Sequence, residues 1–456
     1  MRLKAKEIEQ AVRGKLSSNV SFDTVITHVE FDTRKVSEGT LFVPLKGNRD
    51  GHDFISNAFE EGATLTLSDR DLEGDFPYIL VEDTQKALQD LAKYYLIQVN
   101  PKVAAITGSN GKTTTKDMTA AVLGSFYQTY KTQGNYNNEI GLPYTILNMP
   151  KETEALVLEM GMDRKGDIEL LSSIGRPNVA AITMIGESHI EYLGSRQGIA
   201  EAKMEIVSGL KEKGTLIVPS EEELITPLLA NVTQKVLRFG LNDSADVSAK
   251  ILEEGREKTT FTTPLYPDVI FSIPVLGQYN VGNALIAILI GTELGVPVEK
   301  IQKGLANFDL TKNRTEWLET AKGMSLLSDV YNANPTAMTL VLDSFSKIET
   351  TGRKLVVLGD MLELGEGSRG MHESVSAHLS PEIIDEVYLY GQEMSYLYEV
   401  LKETYATDKC HWFSKEDKKA LMDSLGEKVT PTDTVFLKGS NGMGLKEIVD
   451  YLLNNH

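Results

Sequence analysis

Val103-Ala-Ala-Ile-Thr-Gly-Ser-Asn-Gly-Lys-Thr-Thr-Thr115 runs an unbroken apolar segment into a glycine-rich turn and then into a helical stretch. Ala155-Leu-Val-Leu-Glu159 and Val179-Ala-Ala-Ile-Thr-Met-Ile185 repeat the apolar part of that pattern. Strands read as continuous apolar runs when helices cover both faces of a parallel sheet. The turn itself has the chemistry of a phosphate loop. Gly108 and Gly111, with Ser109 and Asn110 between them, let backbone N–H groups turn toward phosphate oxygens. Lys112 supplies positive charge to the β/γ region, Thr113 a hydroxyl for Mg²⁺, and the following helix, with Thr114 in its first turn, the positive end of its dipole. The pattern is short by one glycine: the first Gly of the usual spacing falls on Ile106, and Gly108 carries the turn instead. A nucleotide site is expected here, with motors, switches, kinases and ligases all open.

Two residues beyond this loop point to the phosphates. Glu159 ends an apolar strand at the same carboxyl edge, where a carboxylate holds Mg²⁺ directly or through water. His189 follows the strand 179–185 through Gly186-Glu-Ser and is expected as a second metal ligand. Lys203 sits on an amphipathic helix between Glu201 and Glu205, and by spacing alone it reads as a surface lysine.

The flanks are α/β as well. In residues 1–100, extended runs (25–31, 40–45, 64–67, 78–81) alternate with helical stretches at 53–62 and 84–98. The region 101–312 holds the phosphate loop, a β-rich stretch over 235–276 and helices at 280–294 and 298–307. Residues 313–456 form a third set, with strands at 325–330, 354–358, 385–390 and 434–437 and helices at 336–348, 394–405, 415–428 and 445–453. That alternation predicts a second doubly wound sheet. Gly-Ser-Asn-Gly recurs at 439–442 without a following Lys-Thr and is read as turn chemistry. The 456 residues suit about three compact units, and a hydrophobic content of 41% suits several cores. A net charge of −19 argues against nucleic acid as a partner. Cys410 is the sole cysteine, so intrachain disulfides and cysteine metal sites are excluded. Without a signal-like start or a long apolar run, a cytoplasmic monomer that does not enter the membrane is expected.

The ordered motifs resemble the Mur ligase family. They are Asp32-Thr-Arg34, Gly39-Thr-Leu-Phe42, Gly47 to Phe54, Thr107 to Thr114, Gly134 to Pro143, Gly186 to Gly194, Ala202 to Ile206, Gly277-Gln-Tyr-Asn280 with Asn283, Asn313-Arg314, Asp329 to Pro335, Leu358 to Gly365 and Lys438-Gly-Ser440. The Asn-Ala-Asn form at 332–334 is similar to the branch that adds D-alanyl-D-alanine, where sister branches carry His in place of Asn334. Asn441 stands where an Arg is common. The resemblance implies a three-domain ATP-dependent amide ligase: a small N-terminal α/β domain for the UDP end of a UDP-N-acetylmuramoyl-tripeptide, a central P-loop domain for ATP, and a Rossmann-like C-terminal domain for the dipeptide. It also implies Asn280 and Asn283 near adenine, Arg314 and Asp329 reaching ATP on closure, and Lys203 carbamylated and binding a second Mg²⁺. Substrate contacts are expected from Thr33, Arg34, Lys46, Asn137, Asn138, Tyr331, Asn332 and Asn334. Folylpolyglutamate synthase shares the ATP-binding and C-terminal parts but not the first domain. A regulatory P-loop ATPase would leave Asp329 to Pro335 unexplained.

Overall fold

The computed structural model describes residues 1–312 and 314–456, so Asn313 of the Asn313-Arg314 motif lies outside the described residues. Its centre is a seven-stranded, wholly parallel sheet in the order Val247–Ser248, Lys235–Gly240, Thr215–Pro219, Val179–Ile182, Lys102–Thr107, Ala155–Glu159, Thr129–Lys131. The strand that feeds the phosphate loop lies between the two other apolar runs. The chain builds to one side of it and then to the other, so the loop opens at the point where strand order reverses. Ala104 and Ile106 face one apolar core, with helices Lys112–Gly124 and Gln278–Glu293, while Val103 and Ala105 face another. Both faces of the strand are therefore dry, which is why its sequence does not alternate.

The first domain has a five-stranded sheet ordered Lys15–Leu16, Tyr78–Leu80, Leu65–Ser68, Thr40–Phe42, His28–Glu30, and a separate pair Leu3–Lys4 with Val25–Ile26. The expected single run over 25–31 is thus two strands in two sheets. Thr27 marks the break: its N–H donates to Gly39 O at 2.9 Å. Helix Thr84–Val99 packs this domain on the centre through the shared apolar core. The β-rich stretch 235–276 also divides. Its first two strands join the central sheet, and Lys250–Glu254, Thr259–Thr263 and Tyr266–Ile273 form a small antiparallel sheet.

The third domain has a six-stranded sheet ordered Glu316–Glu319, Ser325–Asp329, Thr434–Lys438, Lys354–Gly359, Glu386–Tyr390, Cys410–Phe413, in which only Glu316–Glu319 runs antiparallel. Helices Pro335–Lys347, Met394–Leu401, Lys418–Lys428 and Lys446–Asn455 correspond to the expected ones, with boundaries shifted by a few residues. The strand expected over 179–185 ends at Ile182; Thr183 N still donates to Thr107 O at 2.9 Å, and its hydroxyl donates to Asn110 O in the phosphate loop at 2.5 Å. Among the described residues no helix is long and apolar enough to cross a membrane.

Candidate active site

The phosphate loop is shaped by two glycines with positive φ. Gly108 (φ 148°) passes so close to Thr183 that a Cβ would lie 1.7 Å from its Oγ1, and Gly111 (φ 80°) forms the N-cap of helix Lys112–Gly124. The loop is pinned by Ser109 N donating to Met184 O at 2.9 Å and by Lys112 Nζ donating to Gly108 O at 2.8 Å. The first-turn N–H groups of the helix have no intrahelical acceptor, so they are available to anionic oxygens. Burial pulls the Lys112 ammonium below its usual range, and the Glu159 carboxylate opposes that shift.

Two cavities meet at this loop and share Asn110, Gly111, Arg314 and Asn332 as walls. The smaller, of about 260 Å³, is bounded by Phe239, Leu241, Asn280, Asn283 and Asp329 and has the apolar character that suits a flat base. The larger, of about 720 Å³, contains Lys112, Thr113, Asn137, Asn138, Glu159, His189, Tyr331 and Glu363. Asn280 Nδ2 donates to Leu276 O at 2.7 Å, and Asn283 Nδ2 donates to Asn280 Oδ1 at 3.0 Å. The asparagines expected near adenine thus form a buried pair under Gly111.

The larger cavity brings together the residues expected around the metal. Glu159 is 2% exposed; Asn137 Nδ2 donates to its Oε1 at 2.8 Å, while Oε2 has no hydrogen-bond partner among the described residues. A buried carboxylate oxygen without a donor fits a hard cation held jointly with phosphate oxygens. Among the described residues no group of three or more His, Cys, Asp or Glu forms an all-protein cage. His189, at φ 64°, places Nδ1 2.7 Å from Glu363 Oε2 and 3.5 Å from Asp163 Oδ1. Burial lowers its pKa, and Glu363 acts against this.

Lys203 corrects the spacing-based reading. It is 2% exposed, because helix Arg196–Met204 turns Ile199, Ala200, Ala202 and Lys203 inward. It has no ion pair among the described residues. Burial drives its pKa well below the ordinary value, and the neighbouring Lys112 charge adds to the drop.

Arg314 stacks its guanidinium 3.9 Å over the Tyr331 ring, and its buried Nε has no partner among the described residues. Asp329 pairs with Lys438 and accepts from Thr315 N at 3.3 Å. Asn334 is 1% exposed and fully engaged: Oδ1 caps helix Pro335–Lys347 through Ala337 N at 2.9 Å, and Nδ2 donates to Asn110 Oδ1 at 2.8 Å and Ser188 Oγ at 2.7 Å. The third domain thereby touches the phosphate loop directly. Thr336 adds to this contact, donating its N–H to Glu187 Oε2 at 3.1 Å and its hydroxyl to Oε1 at 2.9 Å.

The first-domain residues lie elsewhere. Thr33 and Arg34 are on a short 3₁₀ turn capped by Asp32, which pairs with Arg34 at 2.7 Å; Lys46 pairs with Asp69 at 2.5 Å. None of the three lines either cavity. Sequence reasoning passed over Glu363, Glu187 and Lys438 as site residues. All three lay in quoted motifs, but only the fold shows that Lys438 faces Asp329, Glu363 faces His189 and Glu187 faces Thr336.

Similarity to known proteins covers all three domains. Residues 25–96, 106–291 and 313–441 match the descriptions "Mur ligase family, catalytic domain", "Mur ligase middle domain" and "Mur ligase, glutamate ligase domain". The chain is 43% identical over 455 residues to the UDP-N-acetylmuramoyl-tripeptide–D-alanyl-D-alanine ligase of Bacillus subtilis, covering 99% of this chain and 98% of that one. The chain belongs to the Mur ligase family. Among solved structures, a MurF from Acinetobacter baumannii superposes with a TM-score of 0.89 at 29% identity, over 100% of this chain and 99% of that one. A MurF ligase from Thermotoga maritima in complex with ADP gives a TM-score of 0.80 at 28% identity, over 94% and 97%.

Proposed function

We propose that this Mur ligase joins D-alanyl-D-alanine to UDP-N-acetylmuramoyl-tripeptide with consumption of ATP, giving the UDP-pentapeptide precursor of peptidoglycan. The observation that carries the reading is the shared wall of the two cavities, where Arg314 and Asn332 from beyond the central sheet stand opposite the phosphate loop. On this reading residues 1–100 hold the UDP end, 101–312 hold ATP, and 313–456 present the dipeptide and complete the nucleotide site. The protein works as a cytoplasmic monomer.

A carboxylate cannot be amidated directly in water, because its oxygen is a poor leaving group. The tripeptide's terminal carboxylate oxygen attacks the γ-phosphorus, the bond to the β-phosphate oxygen breaks, and ADP leaves with that electron pair. The dipeptide amine then attacks the acyl phosphate carbonyl, loses a proton, and expels inorganic phosphate. Lys112 and the loop N–H groups stabilise charge on the transferring phosphoryl group, and Arg314 is placed to reach it from the other wall. Thr113, Glu159, His189 and Lys203 are the residues that would hold two Mg²⁺ ions, which supply charge neutralisation at the phosphates when bound. Burial favours the neutral, nucleophilic form of Lys203, which can take up CO₂, losing a proton as the carbamate forms. That chemistry suits a carbamylated Lys203 and would convert a buried amine without an ion-pair partner among the described residues into an anionic ligand. Asn137, Asn138, Tyr331 and Asn332 line the acceptor cavity, Asn334 fixes the third domain to the loop, and Thr33, Arg34 and Lys46 serve the UDP end.

The test is phosphate release from ATP with the UDP-tripeptide present, with and without D-alanyl-D-alanine. Release that requires both, with a pentapeptide product by mass, is expected. Release that ignores both substrates would refute the ligation.

A further inference from the structure

Behind the phosphate loop, helix Lys112–Gly124 carries a buried carboxylate for which the ligation chemistry has no use. Asp117 is 2% exposed. Its Oδ1 accepts from Lys131 Nζ at 2.6 Å, with Lys116 Nζ 3.4 Å away. Its Oδ2 accepts both the backbone N–H and the hydroxyl of Thr311, at 3.2 and 2.6 Å.

Thr311 lies in the connector between helix Val298–Ala306 and Arg314. Within 308–312 these two bonds to Asp117 are the hydrogen bonds made among the described residues, beside the apolar packing of the buried Phe308 and the partly buried Leu310. Arg314 lies three residues further on, so its Cα cannot be more than roughly 10 Å from that of Thr311. The same carboxylate holds Lys131, at the end of strand Thr129–Lys131. The next residue, Thr132, accepts the N–H of Glu159 through Oγ1 at 3.0 Å. One buried anion therefore ties together the phosphate-loop helix, the strand leading to Asn137 and the connector leading to Arg314. Hydrogen bonds to an ionised acceptor are stronger and more directional than neutral ones, which suits a fixed reference point.

We propose that Asp117 is a positioning residue that fixes the connector at Thr311 against the phosphate-loop helix and so holds Arg314 in the wall shared by the two cavities. The proposal rests on the reading of Arg314 as a contact to the transferring phosphoryl group.

The test uses the full-length enzyme and steady-state phosphate release with both substrates. Thr311→Val keeps the shape and removes the hydroxyl; Thr311→Ser keeps the hydroxyl. Thr311→Val is expected to lower kcat about tenfold while KM for ATP moves less than threefold, and Thr311→Ser is expected to stay within twofold of the parent. Arg314→Ala alone is expected to lose more, and the double variant Thr311→Val/Arg314→Ala no more than Arg314→Ala. Thr311→Val at the parental rate, Thr311→Ser as impaired as Thr311→Val, or losses that multiply in the double variant would each overturn the positioning role while leaving an impaired Arg314→Ala intact. Arg314→Ala at the parental rate would instead remove the reading of Arg314, and the proposal with it. Denaturation midpoints of all variants separate lost folding from lost positioning. If Thr311→Val does not fold, Asp117→Asn, which retains one acceptor oxygen but loses the charge, gives the same kcat-against-KM comparison.

Discussion

The tetrapeptide Gly-Ser-Asn-Gly ends a buried parallel strand twice in this chain, at 108–111 and at 439–442, and the two copies do different things. The first turns through two positive-φ glycines directly into a 13-residue helix, so its first-turn N–H groups stay open toward the cleft. The second turns inward. Ser440 N donates to Asp360 O at 3.1 Å, Ser440 Oγ accepts from Leu362 N at 2.9 Å, and Met443 and Gly444 close a 3₁₀ turn before the helix starts at Lys446. The same four residues therefore leave open first-turn N–H groups or not according to the chain just downstream of them, although Ser440, Asn441 and Gly442 also line the larger cavity. Lys112-Thr113 continues as helix, whereas Met443-Gly444 delays one and closes the donors on themselves.

The adjoining lysines give the sharpest way to break this contrast. Lys112→Ala removes charge from the transferring group, and about a thousandfold loss of kcat/KM with an almost unchanged denaturation midpoint is expected. Lys438→Met leaves the largely buried Asp329 carboxylate without its cation. A loss of about 3–5 kcal/mol in denaturant-measured stability is expected there. If Lys112→Ala destabilised as much as Lys438→Met, both copies would be structural.

The glycines come next. Gly108→Ala drives a methyl into Thr183 at φ 148° and is expected to cost about 3 kcal/mol together with most nucleotide binding, measured by denaturation and by ADP titration. Gly442→Ala meets only Leu362 Cδ1 at 3.1 Å, with no unfavourable φ, so a change of about 0.5 kcal/mol or less is expected.

The smallest effect separates the two edges by pH. His372 is buried beside the second copy. Its Nε2 accepts from Met361 N at 3.0 Å, its Nδ1 lies 2.8 Å from Ser368 O, and burial lowers its pKa. The unfolded chain therefore binds the proton first. The stability that His372 contributes is present above pH 6.5 and is lost as pH falls through its lower folded value, with Asp360 and Glu393 opposing the loss. Urea midpoints from pH 7 to 5 are expected to fall less steeply in His372→Gln than in the parent. Equal slopes would show that this edge does not titrate.

The strand–loop–helix at 103–115 was legible because a strand dry on both faces and a helix beginning at a glycine cap both leave local marks. The four inner strands of the third sheet were legible for the same reason, whereas its edge strands Glu316–Glu319 and Cys410–Phe413 were not expected. The split at Thr27 was not legible, because Val25–Ile26 and His28–Glu30 read as one extended run and part only in which distant strand pairs with them. Lys203 misled because acidic neighbours on its helix suggest water, while the burying surfaces come from other segments. The motif resemblance pointed to its importance, and its depth is a tertiary fact. Asn334 drew notice as a substrate contact. Its bonds to Ala337, Asn110 and Ser188 depend on two domains meeting, which no spacing encodes.

That meeting has an experimental consequence. The N–H of Thr336, at the start of a third-domain helix, finds its acceptor on Glu187 across the cleft. If the domains separate, this amide faces water while the rest of its helix remains intact. Its hydrogen–deuterium exchange, read by NMR, would then report how far the domains open with and without substrates, with no probe attached to the protein.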